Sequence, residues 1–148
     1  MKMDQKDIQI IEILKSNARL TTKEIAKKVK LPITTVHNRI KKLELNNIIK
    51  NFTINLNYQE LGKPLLALIL VTVNYNVVTG HKIDQAEIAR KIKHLEGTEE
   101  VSIVTGDTDI ILKVRMSSVD ELNKYITEKL RNIEGIDKTR TMLVLNNF

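Results

Sequence analysis

The sequence predicts an α+β chain whose two parts are built differently. The first part repeats apolar residues at helical spacing behind capping residues, whereas the second alternates β-rich apolar runs with amphipathic helices. Charge divides the chain in the same way, since residues 1–64 carry 13 Lys/Arg against 6 Asp/Glu and residues 65–148 carry 11 against 12. We therefore predict a helical domain over residues 1–50, a hinge over 51–64 and an α+β domain over 65–148.

Composition excludes several classes of protein. Cysteine is absent, so disulfides, thiolate metal sites and cysteine nucleophiles are excluded. The longest apolar run, Leu65 to Val71, has seven residues, far fewer than the roughly 18 that a membrane-spanning helix needs. The first residues, MKMDQKDIQ, lack the apolar core of a signal peptide. We expect a cytoplasmic protein with no membrane partner.

The first helix is predicted to begin after Asp4. Asp4 is a suitable N-cap, and Asp7 lies in the first turn, where a carboxylate meets the positive end of the helix dipole. Apolar residues then recur at helical spacing and predict one buried stripe. The stripe consists of Ile8, Ile11 and Leu14, widened by Ile10 and Ile13.

A capping box predicts the second helix. In Thr21-Thr22-Lys23-Glu24, the Thr21 hydroxyl is placed to cap the Glu24 amide while the Glu24 carboxylate reaches back to the Thr21 amide. A short amphipathic helix is expected to follow. Its inward-facing residues are Ile25, Ala26 and Val29.

A third helix is predicted to begin at Pro32, which suits a first turn because its missing N–H costs nothing there. The helix has one apolar side and one polar side, as expected when a helix packs on a small core. Asn47 follows it and suits the left-handed position that glycine often occupies. Residues 48–54 then resemble an extended element. The apolar stripe consists of Ile33, Val36, Ile40 and Leu43.

The order helix, short helix, tight turn and basic helix is that of a helix-turn-helix motif. The second helix of this motif enters the DNA major groove with its N-terminal residues leading. Hydroxyl, imidazole and amide groups suit base edges, and basic groups suit phosphates. The alternative is a solvated polar face on an ordinary three-helix domain, which the charge asymmetry disfavours. The candidates are Thr34, Thr35, His37 and Asn38 for bases, and Arg39, Lys41 and Lys42 for phosphates.

Four strands are predicted in the second part. Leu65–Tyr75 begins with the apolar run LLALILV and continues with alternating residues. Val101–Val104 and Ile110–Val114 are β-rich runs separated by the turn sequence TGDTD, and Ile136–Asn146 is a last strand.

Two helices are predicted between these strands, one after the first strand and one after the third. Asp84 caps the first of them, and either Ser117 or Ser118 caps the second. The expected buried residues are Ile88, Ile92 and Leu95 in the first helix, and Leu122, Ile126, Leu130 and Ile133 in the second.

The resulting β-α-β-β-α-β order is the split, or ferredoxin-like, arrangement. Helices cover only one face of such a sheet, yet Leu65–Val71 is apolar on both faces. A second copy of the same sheet is the economical cover, so we predict a homodimer through the second part. Such a dimer presents two recognition helices, so the DNA target should be roughly palindromic.

Three other classes of function are disfavoured. An enzyme would rely on Asp107, Asp109 and a histidine, but His37, His81 and His94 show no ligand spacing and no phosphate-binding loop is present. An RNA-binding sheet needs exposed aromatic residues and positive charge, which the second part lacks. A metabolite sensor without DNA binding would not need the basic helix. We expect no enzyme, no cofactor and no metal.

The residues resemble the Lrp/AsnC family of leucine-responsive, or feast/famine, transcriptional regulators. The resemblance rests on TTKEIAKKVKLPITTVHNRIKKLELNNIIK, on Leu61-Gly62 and on the GDTD turn, and it spans essentially the whole chain. It implies a winged or helix-turn-helix domain, a β hinge and a ferredoxin-like domain that forms dimers and often octamers. It also implies that the protein binds DNA and represses or activates transcription. An amino-acid effector and the transcription machinery are the further partners that the resemblance implies. By position, the effector residues would be Gly106, Asp107, Thr108, Asp109, Thr139 and Thr141.

The chain departs from the family pattern at four positions. Lys30 replaces the usual glycine before the recognition helix, so that turn must avoid a positive φ or strain Lys30. Pro32 replaces the usual serine at the start of that helix, and Asn47 replaces the glycine before the Ile-Ile pair. Thr108 replaces the aromatic residue often found inside the effector turn, which changes the side chain that a ligand would meet.

Overall fold

The computed structural model describes residues 2–75 and 84–146. The chain divides into two compact units, Met1–Leu56 and Asn57–Phe148. The division falls inside the range predicted for the hinge. We describe each unit by itself.

The first unit contains three helices: α1 spans Gln5–Ser16, α2 spans Thr22–Val29 and α3 spans Ile33–Leu45. Both expected N-caps are confirmed. Asp4 and Asp7 form a reciprocal capping box at α1, as Thr21 and Glu24 do at α2. Pro32 occupies the N-cap of α3, one position before its expected place in the first turn.

The core of the first unit differs in detail from the expected stripes. Ile8 and Ile33, which were expected inside, are each 50% exposed. In α1 the buried positions are Asp7, Ile10 and Leu14. Because the charged side chain of Asp7 also faces inward, the buried face of the helix is rotated away from the predicted apolar stripe. Ile33 lies in the first turn of α3, before the buried part of that helix. The buried core consists of Ile10, Leu14, Ile25, Ala26, Val29, Val36 and Leu43.

Two helix ends adopt the left-handed conformation without glycine. Asn47 has φ 56°, which confirms its expected position after α3. Lys30, at the end of α2, has φ 55° and ψ 53°. Its amide and that of Leu31 both donate to the Ala26 carbonyl. This pair of bonds is favourable for a helix end, but a β-carbon in this region costs about 1–2 kcal/mol.

We expect Lys30→Gly to raise the free energy of unfolding of the first unit by about 0.5–1 kcal/mol, because relief of the left-handed strain exceeds the extra entropy of glycine in the unfolded chain. Thermal or urea unfolding followed by circular dichroism measures this change. Asn47→Gly is the matched control and should gain less, since asparagine tolerates this region. A destabilised Lys30→Gly variant would show that the turn is not strained.

The segment after α3 is not the extended element that the sequence suggests. The amides of Ile48 and Ile49 bond to the Leu43 carbonyl and so cap α3. Residues 50–57 form no strand in the described chain. A strand requires a neighbour for its backbone groups, and within the described residues no segment of this chain supplies one. The expected β hinge is therefore corrected to irregular backbone in the single chain.

The second unit has the expected βαββαβ order. Its four strands are β1 Leu65–Val73, β2 Thr98–Ile103, β3 Ile110–Met116 and β4 Ile136–Leu143. They form an antiparallel sheet in the order β2-β3-β1-β4, which is the ferredoxin-like arrangement. Its helices are α4, Gln85–Lys93, capped by Asp84, and α5, Val119–Lys124, capped by Ser118.

The second helix of this unit changes its pitch. After α5, residues Tyr125–Leu130 form a π-helical segment, and the Arg131 amide donates to the Ile126 carbonyl five residues earlier. Tyr125 and Leu130 are both buried, five positions apart. A uniform helical period does not anticipate this change, so the expected buried residue Ile126 is only partly covered.

The sheet has one covered and one open face. Alternate β1 residues, Ala67 to Val73, pack with buried residues of the helices, including Ile92 and Leu122. On the other face, Leu68 and Leu70 are only half-buried. The expected uncovered apolar face is therefore present in the single chain.

Candidate nucleic-acid interface and effector turn

Helix α3 presents the polar side chains that the sequence analysis selected for base contacts. Thr34, His37 and Asn38 are exposed, whereas Thr35 is half-buried. At 100° per residue, Thr34, Asn38 and Lys41 share one face, opposite the buried Val36 and Leu43. The arrangement places hydroxyl, amide, imidazole and ammonium groups on one accessible surface.

The two lysines selected for phosphate contacts, Lys41 and Lys42, are also exposed. Arg39 differs from them. Its Nη1 lies 2.8 Å from Asp4 Oδ2 and 2.7 Å from Asp7 Oδ1, and its side chain is 28% exposed. The Asp7 hydrogen bond, followed by that of Asp4, raises the pKa of Arg39. Carboxylates within the same unit already hold the Arg39 guanidinium, so it is less available to a phosphate than Lys41 and Lys42 are.

The positive charge belongs to the unit that carries α3. Residues 1–56 contain 12 Lys/Arg and 5 Asp/Glu, and residues 57–148 contain 12 and 13. Two of those five acids, Asp4 and Asp7, are paired with Arg39. The exposed lysines of α2 and α3 are therefore weakly opposed, which suits contact with a polyanion.

The β2–β3 turn, selected as part of the effector site, is held at both ends. The Val104 amide donates to the Asp109 carbonyl at 2.8 Å, and the Asp109 amide donates to the Val71 carbonyl at 3.0 Å. Gly106 has φ 119°, a region that favours glycine. Asp107 is exposed, whereas Thr108 is half-buried.

The carboxylate of Asp109 joins three elements of the second unit. Its Oδ2 accepts from the Val73 amide at 2.7 Å, and its Oδ1 accepts from the Tyr75 hydroxyl at 2.7 Å and from Gln85 Nε2 at 2.8 Å. The Tyr75 hydrogen bond, followed by those of Val73 and Gln85, outweighs burial and lowers the pKa of Asp109. The carboxylate is thus committed to the chain itself.

Gln85 is part of this cluster that the sequence analysis missed. It lies 24 positions from Asp109, and its amide also donates to the Tyr75 hydroxyl. Because neither helical nor strand periodicity relates residues so far apart, no local signal reveals the contact. Tyr75, at the end of the predicted first strand, is a hydrogen-bond donor to the turn.

The two threonines of the expected effector site lie on the far side of β1 from this turn. Thr139 and Thr141 of β4 pair with Val71 and Ile69, whereas β3 flanks the opposite edge of β1. The Thr139 hydroxyl accepts from Arg131 Nε at 3.2 Å. Within one chain, β1 therefore separates the threonines from the turn rather than bringing them into one cleft.

A polar cluster lies at the end of the β2–β3 hairpin remote from the turn. Arg115 Nε donates to Glu99 Oε1 at 3.0 Å, and its guanidinium lies 3.9 Å from the ring centroid of Tyr58. Burial opposes the ionisation of Glu99, but hydrogen bonds from Arg115 and Tyr58 outweigh it and lower its pKa. The cluster attaches the segment after residue 56 to the sheet.

The described residues contain neither a candidate metal-binding cluster nor a membrane-spanning helix. No group of three or more His, Asp or Glu side chains in residues 2–75 and 84–146 is placed to hold a metal ion. His37 and His94 belong to different units, and His81 lies outside the described residues. No helix in the same ranges is long and apolar enough to cross a membrane.

Both parts of the chain match known protein families. Residues 3–50 match the winged helix-turn-helix DNA-binding model, and residues 67–148 match the Lrp/AsnC ligand binding domain. An uncharacterised HTH-type transcriptional regulator of Pyrococcus furiosus is 41% identical over 141 residues, which cover 95% of this chain and 91% of that protein.

Solved structures agree with these matches. LrpC of B. subtilis has a TM-score of 0.86 at 27% identity, covering 100% of this chain and 98% of that one. A transcriptional regulator of Neisseria meningitidis in complex with L-methionine has a TM-score of 0.89 at 23% identity, covering 98% and 91%. This second likeness supports the fold.

Proposed function

Because the chain belongs to the Lrp/AsnC family of helix-turn-helix transcriptional regulators, we propose that it binds roughly palindromic DNA as a dimer or higher oligomer and responds to an amino acid or a related small molecule. Its domains and relatives are those of a transcription regulator and not of an enzyme. The cytoplasm is the proposed compartment, where DNA and free amino acids are both available.

The exposed polar face of α3 is the observation that carries this proposal. Thr34, His37 and Asn38 are accessible at the start of the helix, the part that leads into the major groove in such motifs. Thr35 is half-buried and would contact DNA only with the edge of its side chain. Lys41 and Lys42 follow and would bind phosphates, which fix position without reading sequence.

Dimerisation is proposed through the open face of the sheet. Leu68 and Leu70 lie half-buried on this face of β1, and Ile111 and Met142 lie beside them on the neighbouring strands. Burying such an apolar strip against a second copy stabilises the dimer by roughly 25 cal/mol per Å² of apolar surface. A two-fold dimer would present its α3 helices to half-sites about one helical turn apart.

The effector is proposed to bind beside the β2–β3 turn. Asp107 is exposed in that turn, so its carboxylate is available to an ammonium group, whereas Asp109 is committed to Tyr75, Val73 and Gln85. Thr139 and Thr141 lie across β1, so they would join the site only if a neighbouring copy completed it. The effector must bind two assembly states unequally to change DNA binding.

Selection of bound duplexes from a random pool tests the proposal as a whole. The full chain is incubated with the pool alone and with each of a panel of L-amino acids that includes L-methionine. We expect enriched sequences with two related half-sites, and a changed yield with at least one amino acid. Enrichment of unrelated sequences would reject sequence-specific binding, and an unchanged yield across the panel would reject an amino-acid effector.

Asn38→Ala is expected to weaken binding to the selected duplex by about 1–3 kcal/mol at one base pair of each half-site, the value of a bidentate contact. Competition with single-base variants of that duplex measures it, because the variant protein should no longer distinguish bases at that position. Lys42→Ala is the control and should weaken all duplexes alike. If Asn38→Ala weakened binding to all duplexes equally, Asn38 would not be a base-reading residue.

A further inference from the structure

The first turn of α1 touches both helices of the helix-turn-helix motif. Lys6 Nζ donates to the Val29 carbonyl, at the end of α2, at 2.7 Å. Asp4 and Asp7, on either side of Lys6, hold the Arg39 guanidinium of α3. One turn of helix therefore fixes the end of α2 and the middle of α3.

The two carboxylates are fully occupied by these contacts. Asp4 Oδ1 accepts from the amides of Lys6 and Asp7, and Asp7 Oδ2 accepts from the Asp4 amide at 3.0 Å. This capping box leaves Asp4 Oδ2 and Asp7 Oδ1 directed at a single nitrogen of Arg39. The capping residues of α1 therefore also bind the side chain of Arg39, which lies 32 positions beyond Asp7.

Burial distinguishes this pair from an ordinary surface ion pair. Asp7 is 4% exposed and is the buried charged residue of the described chain. A buried carboxylate requires its partner, since an uncompensated charge in a protein interior is strongly unfavourable. The contact therefore constrains where Arg39, and the helix that carries it, can lie.

Arg39 lies where it can control the rotation of α3. It follows Asn38 directly, and at 100° per residue it falls between the exposed face and the buried stripe. A guanidinium has a rigid planar fork, so its contacts restrict direction as well as distance. Turning α3 about its axis would break the bonds to Asp4 and Asp7 and would redirect Asn38 and Thr34 together.

We propose that Arg39 is a positioning residue, held by the Asp4–Asp7 capping box, that sets the rotation of α3 so that Thr34 and Asn38 face DNA bases. This role rests on the proposed function of α3. Arg39 acts through α1 and not through phosphate. Removing it therefore impairs discrimination between DNA sequences while leaving the number of phosphate contacts unchanged.

The salt dependence of DNA binding separates these roles. Each phosphate contact contributes about 0.9 to the slope of log affinity against log salt on duplex DNA. The first variant is Arg39→Met. The second, Asp7→Asn with Arg39→Met, removes both charges and so leaves no unpaired buried carboxylate; it is used if the single variant fails to fold. Lys41→Met is the matched control, since it removes one exposed positive charge from the same helix.

Binding is measured on the duplex that the wild-type chain selects and on a scrambled duplex of equal length, at a temperature where circular dichroism shows each variant folded. We expect both Arg39 variants to keep the wild-type slope and to lose at least tenfold in discrimination. Lys41→Met should lower the slope by about 0.9 and keep its discrimination.

Two outcomes would overturn the proposal. A slope that falls in Arg39→Met as it does in Lys41→Met would make Arg39 a phosphate ligand. If neither the salt slope nor the discrimination changed, the ion pair would stabilise the first unit without positioning α3 for DNA. If the wild type selects no duplex, the proposed function fails separately, and the slopes on the scrambled duplex still decide whether Arg39 binds phosphate.

Discussion

Asp109→Ala is expected to lower the free energy of unfolding of the second unit by about 2–3 kcal/mol. The carboxylate accepts hydrogen bonds from Val73, Tyr75 and Gln85, and bonds to a charged group are each worth about 1.5–3 kcal/mol when buried. Because Asp109 is half-exposed, water compensates for part of this loss. Urea unfolding monitored by near-ultraviolet absorption of the tyrosines measures the change.

The same substitution should change how stability depends on pH. The folded pKa of Asp109 is lowered, so its stabilising effect is fully present above the ordinary carboxyl pKa of about 3.9 and is lost as the pH falls through the folded value. The difference between wild type and Asp109→Ala should therefore be constant near neutral pH and shrink below about pH 4.

Asp107→Ala is the control for Asp109, two residues away in the same turn. Asp107 is exposed, so its removal should change stability by no more than about 0.5 kcal/mol. If the two substitutions had equal effects, the cluster around Asp109 would not be the feature that holds the turn. A stable Asp109→Ala variant would have the same meaning.

Leu70→Lys is expected to convert the proposed dimer into monomers and to weaken DNA binding by at least about 100-fold. Leu70 lies at the middle of the open face, between Ile111 and Arg140 on the adjacent strands. A lysine there would place an unpaired charge in the dimer core, which is strongly unfavourable. A monomer would contact only one half-site. In the dimer, binding of the second half-site is intramolecular and raises the affinity by a factor of about 10²–10⁴.

Sedimentation velocity and titration of a two-half-site duplex together measure this effect. Asn123→Lys adds the same charge to an exposed position of α5, on the helix-covered side, and should leave both the assembly and DNA binding intact. A Leu70→Lys chain that remains dimeric would move the interface to another surface.

Local features were predictable because their causes are local. The capping residues Asp4 and Thr21 need only a partner three positions away. The left-handed residue after α3 is Asn47 because asparagine is one of few residues that tolerate this region. The order of strands in the sheet also followed, since the ferredoxin-like topology is the arrangement that β-α-β-β-α-β commonly adopts.

Other local expectations failed where a tertiary contact took precedence. Ile8 recurs at helical spacing with Ile11 but is 50% exposed, because the inward position of that turn is taken by Asp7. The pitch change at Tyr125–Leu130 likewise leaves Ile126, which helical spacing predicts to be buried, only partly covered. Hydrophobic periodicity shows which residues are apolar, but it does not show which charged side chain will pair with a distant one.

Patterns along the chain were enough to predict most of the helices and strands, the caps of α1 and α2, the segregation of positive charge into the first 64 residues and the chemistry available on α3. The pairing of Arg39 with Asp7, 32 positions away, and of Asp109 with Val73, Tyr75 and Gln85 is visible only in the folded chain. A cap or a period depends on neighbours along the chain, whereas a paired charge depends on which distant backbone and side-chain groups the packed core brings within hydrogen-bonding distance.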